Sequence, residues 1–94
     1  MEHDLAQILS FRALGWLAGE EELWQGFLGS SGADAAQVRA AAAAGDAALS
    51  RAVLDYLMQS DATVLACAAA LGVGPQDLVS AQAVLAGPAG MHWT

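Results

Sequence analysis

The stretch Asp4-Leu5-Ala6-Gln7-Ile8-Leu9-Ser10-Phe11-Arg12-Ala13-Leu14-Gly15-Trp16-Leu17-Ala18-Gly19 reads as a helix. Leu5, Ile8, Leu9, Arg12, Ala13, Trp16 and Leu17 recur at i, i+3 and i+4, the spacing of one helical stripe. Phe11 and Leu14 cover other faces of the same helix. A helix that is apolar on more than one side needs cover on more than one side. The segment from about Asp4 to Ala18 is therefore expected at the centre of the molecule as its most enclosed helix, with Gly19 as its stop.

Downstream, the same signals repeat. Glu20-Glu21-Glu22 place negative charge at the positive end of a second helix, whose buried side is Leu23, Trp24, Phe27 and Leu28 and which ends across Gly29 to Gly32. Asp34 followed by Gln37 is a capping pattern that opens a third, alanine-rich helix with Val38 on its thin apolar face, ended by Gly45. Asp46 caps a fourth, half-exposed helix with Leu49, Val53, Tyr56 and Leu57 inward and Arg51 and Asp55 on the opposite side. Ser60 and Asp61 start a fifth helix that buries Val64, Cys67, Ala68 and Leu71 before the turn Gly72-Val73-Gly74. Pro75 opens a sixth, where a missing amide donor costs nothing, with Leu78, Ala81 and Leu85 inward; Gly87-Pro88 ends the fold. No stretch alternates apolar and polar residues as a strand does. The expectation is an all-α compact bundle of about six short helices in a single domain, residues 1–94, with a core over about 4–86 and a short tail, 87–94.

Laid over itself at an offset of 40, the chain shows a pattern. Ala13-Leu14-Gly15-Trp16-Leu17 falls on Val53-Leu54-Asp55-Tyr56-Leu57, Glu21 on Asp61, Phe27 on Cys67, Gly32 on Gly72 and Val38 on Leu78. The overlay predicts two tandem three-helix units that close one core together. In the second, Cys67 to Ala81 also matches a helix-turn-helix hairpin, with a small residue four before the turn glycine.

Composition narrows the function. The chain has 94 residues, 56% of them hydrophobic and 14% charged, with three Arg, no Lys and ten acids for a net charge of -7. Such a chain folds, and its surface repels phosphate backbones and anionic membranes. The acidic start Met1-Glu2-His3-Asp4 is unlike a secretory signal, and no apolar run reaches the length a bilayer needs, so a cytoplasmic protein is expected. One cysteine excludes an internal disulfide framework.

Several of these residues together are similar to a known family. Ala13-Leu14-x-x-Leu17, the acidic opening of the second helix, Phe27-Leu28-x-x-Ser31-Gly32, Val38-Arg39 and Val53-Leu54-Asp55-Tyr56-Leu57 followed by Asp61 resemble the bacterial, mostly alphaproteobacterial, domain of unknown function 3572 family. The resemblance spans about Leu5 to Leu85. It departs from the family's pattern at Ala35, where a proline is expected. It implies a small helical cytoplasmic protein and carries no activity.

The chemistry-bearing residues point away from catalysis. Cys67 has no neighbouring base in sequence, since His3 and His92 sit at the chain ends, and one Cys with two His does not make a zinc tetrahedron. No cofactor, no metal and no catalytic residue is expected. The candidate partner-binding residues are Arg12, Glu20, Glu21, Glu22, Met91 and Trp93. Arg12 falls inside the apolar stripe of the first helix, so it needs either the rim or an acid such as Asp4 or Asp55. The glutamates offer a charged patch to a basic partner, and Met91 and Trp93 form either a flap over the core or a hook. The expected function is a non-enzymatic adapter or regulator that binds a protein partner, with a homodimer as a possible state. The alternative is a helix-turn-helix-like transcription-related regulator. Its second helix offers only Gln76, Ser80 and Gln82 beside Asp77, so direct nucleic-acid binding is not expected and a basic partner would be needed.

Overall fold

A computed structural model describes residues 1–91, the last four as backbone only. The described residues form six helices: α1 (His3–Ala18), α2 (Glu21–Ser31), α3 (Ala35–Ala43), α4 (Ala47–Leu57), α5 (Asp61–Leu71) and α6 (Pro75–Met91). Local chemistry sets their ends. Asp34 accepts from the Gln37 amide at 2.8 Å while the Gln37 side chain accepts from the Asp34 amide at 2.9 Å, closing the capping box. Asp46 and Ser60 cap α4 and α5 by accepting from the amides of Leu49 and Thr63. Gly32 and Gly72 end α2 and α5 with φ of 73° and 72°, a conformation a side chain would strain.

α1 packs chiefly on α6 and α4, and also on α5 and α2. Its buried side matches the expected stripe at Leu9, Ala13 and Leu17 and departs from it elsewhere. Ala6, Leu9, Ser10, Ala13, Leu14 and Leu17 face the core, whereas Leu5 and Ile8 are 56% and 57% exposed. The helix is apolar on several faces, so periodicity alone does not choose between them. The core takes the face carrying Ala6, Ser10 and Ala13, whose small side chains let neighbouring helices approach closely. There the Ser10 hydroxyl donates to the Ser50 carbonyl at 2.7 Å and ties α1 to α4 with both serines fully buried.

α4 is half-exposed as read, with Ser50 and Leu54 joining Leu49, Val53 and Leu57 on its buried side and Arg51 and Asp55 exposed. Of the expected buried side of α2, only Phe27 is fully buried, while Leu23, Trp24 and Leu28 are half-buried. In α6, Leu78, Ala81 and Leu85 are buried as read. Gly87 does not end the fold: its φ of 16° and ψ of -111° interrupt α6, and helical backbone resumes to Met91. Glycine relaxes the helix there, and the fixed φ of Pro88 suits a new first turn.

α5 and α6 meet at 105°, within the range of a helix-turn-helix hairpin. In the two triplets α1–α3 and α4–α6, α2 spans 21–31 and α5 spans 61–71, and α3 and α6 begin at 35 and 75, whereas α1 and α4 begin at 3 and 47. Among the described residues no single helix is long and apolar enough to cross a membrane.

Candidate functional site

A groove of about 510 Å³ lies in the first triplet, between α1, α2 and α3. Its floor is Phe11 and Leu14 of α1 and Val38 of α3. Trp24 forms the α2 wall, stacked on the buried Phe27 with ring centroids 6.0 Å apart; Phe27 in turn meets the edge of Tyr56 at 5.6 Å. Backed by that aromatic series, the Trp24 ring is a stiff wall. Arg39, exposed on α3, is the one charged residue that lines the groove.

The opening exists because side chains are missing. Gly15, Ala18 and Ala42 line it, and a Cβ added at Gly15 would meet nothing within 4 Å. Forty positions on, the same register carries Asp55, Met58 and Gln82. There the Gln82 amide donates to the Asp55 carboxylate at 3.0 Å, a bond between α4 and α6 at the two positions that match Gly15 and Ala42. The second triplet is bridged where the first is open.

Arg12, Glu20, Glu21 and Glu22, singled out by sequence, do not line this groove. Arg12 is exposed, and its Nη2 donates to the Leu71 carbonyl at 2.7 Å, so it ties α1 to the C-terminal end of α5. Of the two expectations, the rim holds, and the bond goes to a backbone carbonyl rather than to Asp4 or Asp55, because α1 is turned so that the guanidinium lies outside the core. The negative end of the α5 backbone favours a cation there. Glu20 precedes α2 without making a side-chain cap, and Glu21 and Glu22 are exposed in its first turn. The side chain of Met91, and Trp93 altogether, lie outside the described residues. Sequence reasoning missed Phe11, Arg39 and Ala42 as groove residues. The 40-residue overlay held the signal: Gly15, Ala18 and Ala42 are the shorter member of each pair.

Chemistry is sparse elsewhere. Burial pushes the Cys67 thiol from the usual 9.0 up to about 11, which keeps it protonated and poorly nucleophilic. Among the described residues no three His, Cys, Asp or Glu side chains converge on a possible metal position.

A family model described as "Protein of unknown function (DUF3572)" matches residues 3–88 of the 94. No curated protein and no solved structure matches the chain.

Proposed function

We propose that this chain, which belongs to the DUF3572 family, is a non-enzymatic protein-interaction module that seats a partner in the groove between α1, α2 and α3. The observation that carries the reading is the groove itself: an apolar floor, a braced aromatic wall and small residues at the positions that are bridged in the second triplet. Apolar grooves are one of the recurring forms in which proteins take up a segment of a partner. The reading includes a cytoplasmic protein without cofactor, as a monomer or homodimer, and two triplets that are copies of one ancestral unit. The coincident helix bounds support the last point.

The test is recovery of tagged protein from its native host cells, with mass spectrometry of co-eluting proteins at low and high salt. It is run in parallel on the variant carrying Ala18→Met and Ala42→Gln, which fills the groove with the second triplet's residues. A stoichiometric partner that survives high salt on the wild type and is lost from the variant supports the reading. The same partners on both proteins would overturn it.

The 105° hairpin of α5 and α6 favours one alternative, a transcription-related regulator acting with a basic protein. α6 presents Gln76, Val79 and Ser80 outward, with no cation among them. A gel shift that appears only with the basic partner and weakens with salt would support that alternative.

A further inference from the structure

The groove carries a single charge, and its sign points to the occupant. Its α3 wall carries Arg39, one of only three arginines in a chain with ten acids and no lysine. Glu20, Glu21 and Glu22 do not line the groove. A carboxylate on an incoming chain is therefore attracted to the α3 wall, where the groove carries its charge. The rest of the lining is apolar or small: Phe11, Leu14, Val38 and Trp24, with Gly15, Ala18 and Ala42.

Resting on the reading of the groove as the partner site, we infer that its occupant is a short peptide segment of a partner protein that presents a bulky aromatic or aliphatic side chain close in sequence to an Asp or Glu. The apolar side chain fills the space over Phe11, Leu14 and Val38 that the missing side chains of Gly15 and Ala42 leave. The neighbouring carboxylate pairs with the Arg39 guanidinium, whose planar fork suits a carboxylate better than an ammonium would. The aromatic stack behind Trp24 holds the wall in place before the segment arrives, which lowers the ordering cost of binding.

The probe is a random dodecapeptide display library panned on the full chain, with enriched peptides then titrated against three variants. These are the groove-filled Ala18→Met with Ala42→Gln, the neutral Arg39→Gln and the charge-reversed Arg39→Glu, each checked for native helicity by circular dichroism. The expected enriched peptides share a bulky apolar residue within four positions of an acid. Their affinity is expected to fall about threefold on Arg39→Gln and about tenfold on Arg39→Glu, as for a partly solvated ion pair. Library selection repeated on Arg39→Glu is expected to exchange the acid for Lys or Arg.

Peptides that bind the wild type and the groove-filled variant equally would overturn the groove as the partner site, and this inference with it. Peptides lost from the groove-filled variant but without an acid, or indifferent to Arg39→Glu, would leave the site standing and overturn the charge assignment. Failure to enrich any peptide on the correctly folded chain would overturn the peptide class of occupant.

Discussion

Gly26 and Gly29 sit three residues apart on α2 and differ in a single neighbour. A Cβ at Gly29 meets nothing, while a Cβ at Gly26 collides with the hydroxyl of Tyr56, whose ring is edge-on to Phe27. Replacing a helical glycine with alanine gains about 0.5–1 kcal/mol from backbone entropy. Gly29→Ala is therefore expected to raise unfolding stability by about that amount, and Gly26→Ala to return none of it, because Tyr56 must move off its site. Paired urea titrations decide this. Cys67 makes a pH-dependent case. Its thiol titrates near 11 in the folded chain and at the usual 9.0 once exposed, so above pH 9 the unfolded state loses its proton first. Stability contributed by the buried neutral thiol is complete below pH 9 and is lost as pH rises toward 11. The stability gap between the wild type and Cys67→Ala is expected to narrow by about 2 kcal/mol between pH 8 and pH 11. A gap that stays constant in urea titrations across that range would refute the assignment.

Among the helices, α3 is the least embraced. Its main packing partner is α4, and Val38 is its one fully buried side chain, with Ala41 and Ala42 partly covered. It depends on the Asp34 and Gln37 capping box more than its neighbours depend on their caps. Amide hydrogen exchange is expected to be faster in α3 than in the core of α1 or α4. Asp34→Ala is expected to cost about 1 kcal/mol and to raise α3 exchange further. Slow exchange in α3, equal to that of α1, would contradict this. The same contrast explains what was legible in the sequence. Helix starts and stops at Asp34, Asp46, Ser60, Gly32 and Gly72 are fixed by bonds within a turn or two, so a local reading finds them. The inward face of α1 was legible only in part, since Leu5 and Ile8 are as apolar as Leu9 and Leu14. The choice among them is made by how closely α4 and α6 can approach Ala6, Ser10 and Ala13. The groove was hidden for a related reason: it is made by side chains that are not there, and an alanine run reads as plain helix.

At the scale of the whole molecule, neither triplet owns its core. α1 belongs to the first half of the chain, yet it packs chiefly on α4 and α6 of the second, and the Ser10–Ser50 bond joins the halves inside the core. A chain severed after Gly45 is expected to give two pieces, 1–45 and 46–94, each largely unfolded alone because α1 and α4 lose the surfaces that cover them. Mixed, they are expected to regain helix together, read as a circular-dichroism signal greater than the sum of the separate pieces and dependent on concentration. Additive spectra would mean that the halves are independent after all. The groove lies wholly within the first piece, yet its floor residues Leu14 and Val38 belong to the common core. Split this way, the protein becomes a coincidence detector, whose recognition surface takes shape only when two separate chains meet.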